Sequence, residues 1–96
     1  MHKSVLLSTA KNDIREAATW YNKQKPGLGK KFTQEVRRKV HKIRQNPFAY
    51  SIRHGITRIA ILKVFPFIIH FSVNDSNTVL ISAVLHTGRN ADWIED

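Results

Sequence analysis

Phe67-Ile68-Ile69-His70-Phe71-Ser72-Val73-Asn74-Asp75-Ser76-Asn77-Thr78-Val79-Leu80-Ile81-Ser82-Ala83-Val84-Leu85-His86 is the stretch on which the fold turns. β-branched and aromatic residues crowd both sides of a polar cluster, the pattern of two strands joined by a tight turn. Phe67, Ile69, Phe71 and Val73 alternate onto one face of the first strand, and Val79, Ile81, Ala83 and Leu85 onto one face of the second. A two-residue loop would send these sets to opposite sides of the sheet. A three-residue loop, Asp75-Ser76-Asn77, sets Val73 opposite Val79 and Phe71 opposite Ile81, and this register is expected. The other face then carries Ile68, His70, Ser72, Ser82, Val84 and His86.

Upstream, residues 57–64 read as a further strand, joined to Phe67 by Phe65-Pro66 as a two-residue turn. Ile59, Ile61 and Lys63 join the second face, while Arg58, Ala60, Leu62 and Val64 lie with the core set. Before Ile56 the period is helical. Ile14, Ala17, Ala18 and Tyr21 recur at i, i+3, i+4, i+7, after Ser8 or Thr9 as cap and with Asp13 and Glu16 in the early turns. Gln24-Lys25-Pro26-Gly27 ends this helix. A second helix runs over residues 28–45, with Phe32, Val36, Val40 and Ile43 on one stripe and Lys30, Arg37, Arg38 and Lys42 largely off it, until Asn46-Pro47 stops it. So short a connection makes the helices an antiparallel hairpin. Residues 3–7 form a first strand. The chain is α+β in the order β-α-α-β-β-β, with the helix hairpin packed on one face of a largely antiparallel sheet and a short tail at residues 90–96.

Ninety-six residues, 42% apolar and 24% charged, make one soluble globular domain spanning residues 1–96. With no cysteine, disulfides, a thiol nucleophile and thiolate metal sites are excluded, which fits a reducing cytoplasm. The longest apolar run, Val64 to Ile69, is far short of a bilayer span, so no membrane partner is expected, and the N-terminus does not read as a signal peptide. The net charge of +9 is concentrated: residues 23–44 hold nine Lys/Arg against the single Glu35. Such a strip attracts phosphate backbones or acidic protein surfaces, and equally serves as a solvated helix face.

His2, His41, His54, His70 and His86 have no metal-ligand spacing, so no metal and no cofactor is expected. There is no glycine-rich phosphate loop, nucleophile elbow or catalytic pair of carboxylates. His70 and His86 are candidates for an acid/base pair, since histidine titrates near neutrality, and ordinary half-exposed strand residues otherwise. Arg53 and His54, ahead of the strand, are within reach of a nucleic acid or simply solvated. Trp20 and Tyr21 close the helix–sheet core, while Trp93 anchors the tail or meets a partner.

The order of elements, Ala17-Ala18-Thr19-Trp20-Tyr21, Pro26-Gly27-Leu28-Gly29 with Phe32, Asn46-Pro47, Phe65-Pro66-Phe67, and His86 followed by Arg89 and Trp93 together resemble the RelE/ParE superfamily of bacterial toxins. The resemblance implies a toxin of a type II toxin–antitoxin module, neutralised by a cognate antitoxin. RelE-like members cleave mRNA on the ribosome, and on that branch His86 would be general acid or base, Arg89 the phosphate clamp and Arg58 an assistant. Yet Ile59, Ile61 and Ile68 stand where those nucleases carry cations, and Trp93 replaces a tyrosine. The helix connection and the ending look more like ParE-like members and their plasmid-stabilisation relatives, which implies inhibition of DNA gyrase without hydrolytic chemistry. Relatives of both kinds commonly carry an arginine where Ile68 stands. The apolar second face, Ile59, Ile61 and Ile68 with His70 and Trp93, is the expected partner surface. Arg37, Arg38, Lys42 and Arg53 are candidates for nucleic-acid or target contact. For the basic helix itself a solvated face, an acidic antitoxin segment, and DNA or gyrase all stay open. A diverged, non-toxic basic binding module is the third reading of the chain.

Overall fold

The computed structural model describes residues 1–88. Its elements are β1 (Lys3–Leu6), α1 (Ser8–Gln24), α2 (Leu28–Gln45), a 3-10 turn at Pro47–Ala49, β2 (Ile52–His54), β3 (Thr57–Ile61), β4 (Phe67–Val73) and β5 (Thr78–His86). The sheet order is β1-β5-β4-β3-β2. Only β1 and β5 run parallel; every other pairing is antiparallel. Both helices lie on one face, and the core between the layers is built on Phe32, Val36 and Ile43 of α2 against Ile69, Phe71, Val79 and Ile81.

The decisive hairpin has the expected register at its tip, with Val73 opposite Val79 and Phe71 opposite Ile81. Asn74 builds the loop: its Oδ1 accepts the Ser76 and Thr78 N–H groups, and Asn77 takes a positive φ of 63°. Asparagine tolerates that conformation better than most residues, which is why the polar cluster closes in three residues.

Beyond Ile81 the register slips, and one expectation is overturned. Phe71 faces Ile81 but His70 faces Ala83, so β5 carries an extra residue, Ser82. The parity of β5 reverses from there on. Val84 is buried in the helix-facing core and the His86 ring meets Phe67 edge-on at 5.2 Å, so both leave the second face. Ala83 and Leu85, expected in the core, take their places opposite His70 and Ile68. α1 holds this bulge: Asp13 Oδ2 accepts the Val84 N–H at 2.9 Å, and Thr9 Oγ1 donates to the Ser82 carbonyl at 2.7 Å. Ser82 Oγ in turn donates to the His70 carbonyl. Thr9 is therefore occupied by the sheet, and the helix begins after Leu7 with no side-chain cap, against the expectation of Ser8 or Thr9 in that role.

The turn before β4 also differs. β3 stops at Ile61, and Lys63, Val64 and Phe65 direct their N–H groups onto the Glu35 carboxylate at 3.0, 3.0 and 3.1 Å. The Phe65-Pro66 two-residue turn gives way to this longer loop, and Val64, expected in the core, is 77% exposed. The pairing moves by two residues, to Ile59–His70 and Ile61–Ile68. A shift of two preserves the faces, so Ile59 and Ile61 stay on the outer side with Ile68 and His70. Residues 52–54, read as loop, form the short exposed edge strand β2. No described helix is long and apolar enough to cross a membrane.

Candidate functional site

Two surfaces carry the candidate residues. The first is the outer face of the sheet, where strand pairing brings together Ile59, Ile61, Ile68 and His70, flanked by Ala83 and Leu85. Ile68 and His70 are buried, Ile59 is half-buried and Ile61 is 59% exposed. Burial, reinforced by the Arg53 guanidinium on β2, lowers the His70 pKa to about 4, so this imidazole is neutral at physiological pH. The face is aliphatic around an uncharged histidine.

The second surface is α2. Its outward residues Lys30, Lys31, Arg37, Arg38, His41 and Lys42 are exposed, and none of them is within ion-pair distance of a described carboxylate. The one acid of the segment, Glu35, points inward. Burial alone would raise its pKa, but the three backbone N–H groups and the nearby Arg38 outweigh that and hold it below the ordinary 4.5. Every exposed Lys, Arg, Asp or Glu side chain on α2 is a lysine or an arginine.

Next to these cations lies a groove of about 740 Å³ with an aliphatic floor of Leu6, Ile14, Val36 and Val40. Arg37, Arg38, His41 and Lys42 stand along its rim. It lies where β1, α1 and α2 meet. At the turn end the helices touch, because Gly29 leaves room for the Ala18 carbonyl and Asn22, whose Oδ1 accepts the Gly29 N–H at 2.8 Å. Toward the other end, Ile14 and Val40 are only partly covered. Sequence reading placed Val36 and Val40 on the core stripe and missed the groove; the small residues Ala18 and Gly29 at one end, against Ile14 and Val40 at the other, were the available signal.

Arg58 and His86 do not join either surface. Arg58 lies on the helix side, donating to the Tyr50 carbonyl at 2.6 Å and stacked 5.2 Å from the Phe48 ring centre. His86 accepts the Gly88 N–H at Nδ1. They flank β4 on opposite sides, Arg58 level with Phe71 and His86 level with Phe67. Strand geometry separates them by roughly 16 Å. His86 and His70 are on opposite faces of the sheet, so the acid/base pair is not formed. Arg89 and Trp93 lie outside the described residues. Among the described residues, no group of three or more His, Cys, Asp or Glu side chains comes together as metal ligands do.

The model of the ParE toxin of type II toxin–antitoxin systems, parDE, matches residues 5–91. This chain belongs to the ParE toxin family. Its fold is that of a chain from the chromosomal ParDE toxin–antitoxin system of P. aeruginosa, with a TM-score of 0.79 over 90% of this chain and 96% of that one at 19% identity. A search of curated proteins found no match. Arg58 is committed to holding the Tyr50 segment against β3.

Proposed function

We propose that this ParE-family chain is a toxin that blocks DNA gyrase in the cytoplasm and is held inactive by a cognate antitoxin. The observation that carries the reading is the character of the outer sheet face. Ile59, Ile61 and Ile68 surround a neutral His70, whereas cleaving RNA needs a proton acceptor, a proton donor and cations on the phosphorane. Arg58 and His86, the described cation and imidazole proposed for that chemistry, sit on the opposite face, apart from each other and bonded into the fold. An apolar surface of this kind suits protein contact, and we assign Ile59, Ile61, Ile68 and His70 to partner binding.

The test is a supercoiling assay with purified gyrase, run beside translation of a defined message on purified ribosomes. The reading expects loss of supercoiling with accumulation of cleaved DNA, and an intact message. Codon-specific cleavage of the message, with gyrase unaffected, would replace it with the ribosome-dependent nuclease reading. Ile61→Lys, at an exposed position, should weaken rescue by a co-expressed antitoxin while leaving the chain folded.

A further inference from the structure

We propose that the solvent-facing ridge of α2 binds B-form DNA by its own surface, lying in the major groove with a row of cations toward each strand. The observation is a spacing. Lys30-Lys31, Arg37-Arg38 and Arg44-Gln45 recur at seven-residue intervals along α2. Seven residues make almost two turns, so the pairs line up with a drift of only about 20°. Lys30 and Arg37 form one row, Lys31, Arg38 and Lys42 the other, and Gln34 and His41 stand between them. The rows project about 100° apart from one helix, which puts their charged ends on the order of 12 Å from each other. The major groove of B-DNA is about 12 Å wide, with a phosphate strand on either side and base edges at its floor.

Two cations are discounted. Arg38 lies near the Glu35 carboxylate, and Arg44 is half-buried with its Nε donating to the His2 carbonyl at 2.9 Å. Lys30, Lys31, Arg37 and Lys42 are exposed, two on each row. Other uses of the ridge fit less well. A face kept only for solubility mixes its signs, whereas this one is positive throughout and sets Arg38 and Lys42 at i, i+4, where like charges repel. A protein partner needs apolar side chains at the centre of its contact, and every exposed residue of α2 is polar or charged. The major groove of A-form RNA is too narrow to admit side chains, let alone a helix. The proposal goes beyond the gyrase reading, because the chain would hold DNA without the enzyme, and it can fail while that reading stands.

The experiment titrates a fluorescent DNA duplex of arbitrary sequence, about sixteen base pairs or one and a half helical turns, with the full chain at several salt concentrations. Anisotropy gives the affinity and amide chemical shifts give the location. Four phosphate contacts predict a slope of log affinity on log salt near −3.6, a loss of about a hundredfold between 50 and 200 mM. Shifts are expected on the exposed side of α2. Lys31→Gln with Arg37→Gln, one from each row, should make the slope shallower by about 2. Lys3→Gln with Lys23→Gln changes the net charge equally from exposed positions on β1 and α1, and should leave the slope alone. Thermal melts check that both variants remain folded. An RNA duplex of the same sequence should bind at least tenfold more weakly. The proposal is overturned by absence of saturable binding at 50 mM salt, by equal losses from the two double variants, which would make the attraction one of net charge alone, by equal affinity for the RNA duplex, or by shifts centred on Ile59 and His70.

Discussion

Replacing Glu35 tests how the fold disposes of its one acid in a basic segment. Its carboxylate accepts three backbone N–H groups within 3.1 Å, those of Lys63, Val64 and Phe65. A hydrogen bond to a charged group contributes about 1.5–3 kcal/mol where it is buried. Lys63 and Val64 are exposed, so water takes over their donors when the carboxylate goes, whereas Phe65 is buried and its N–H would be orphaned. Discounting the exposed pair leaves about 3 kcal/mol for Glu35→Ala. For a domain of this length that lowers Tm by about 12–15 °C. Glu35→Gln keeps one acceptor and loses the charge, and should cost about half as much. The pH dependence separates this account from simple loss of packing. The folded pKa is depressed below 4.5, so the stabilisation is present above the ordinary pKa and disappears as pH falls through the depressed one. Melts of wild type and Glu35→Gln by circular dichroism should therefore be well separated at neutral pH and draw together in acid below pH 4.5. A Glu35→Ala protein melting within about 3 °C of wild type, or a Gln variant whose gap is constant with pH, would refute the reasoning.

Substitutions at three further positions address other joints. His70 binds its proton with a pKa of about 4 when folded against 6.5 when free, so the unfolded chain takes up protons first as pH falls. Stability should hold above pH 6.5 and decline toward pH 4 by up to about 3 kcal/mol, and His70→Phe should remove most of that slope in urea titrations. Gly29→Ala puts a methyl group into the Ala18 carbonyl and the Asn22 side chain, and should cost about 2–4 kcal/mol by forcing the hairpin apart, read as a lowered urea midpoint. Asp13→Ala orphans the Val84 N–H at the bulge and should cost about 1–3 kcal/mol, with fast hydrogen exchange at Val84 as its specific mark; Asp13→Asn keeps an acceptor and should recover most of it.

What was legible in the sequence divides along the range of the interactions. The tip of the hairpin is local: Asn74, Asp75, Ser76 and Asn77 carry their own turn chemistry, and the register at Val73 and Phe71 follows from it. The bulge is not local. Its support comes from Thr9 and Asp13, some seventy residues away, so alternation carried past Ile81 misassigns Val84 and His86. The loop after β3 is another such case, since nothing between Leu62 and Phe67 announces that a carboxylate on α2 will collect its N–H groups. Glu35 did stand out by charge, alone among nine cations and one position from Val36 on the apolar stripe. β2 escaped because an exposed three-residue edge with Arg53 and His54 has no pattern to read. Of the candidate site, the grouping of Ile59, Ile61, Ile68 and His70 was readable because face membership survives a two-residue slip. The groove was not, because Leu6, Ile14 and the α2 residues that line it come together only in the fold.

The parallel pairing of β1 with β5 joins Lys3–Leu6 to the segment starting at Thr78. During synthesis β1 leaves the ribosome well before its partner β5 exists, and the helices emerge with their floor incomplete. The architecture closes only once β5 has been made. A message truncated upstream of β5 yields a product without its keystone, which for a member of a toxin family makes synthesis of that strand the arming step.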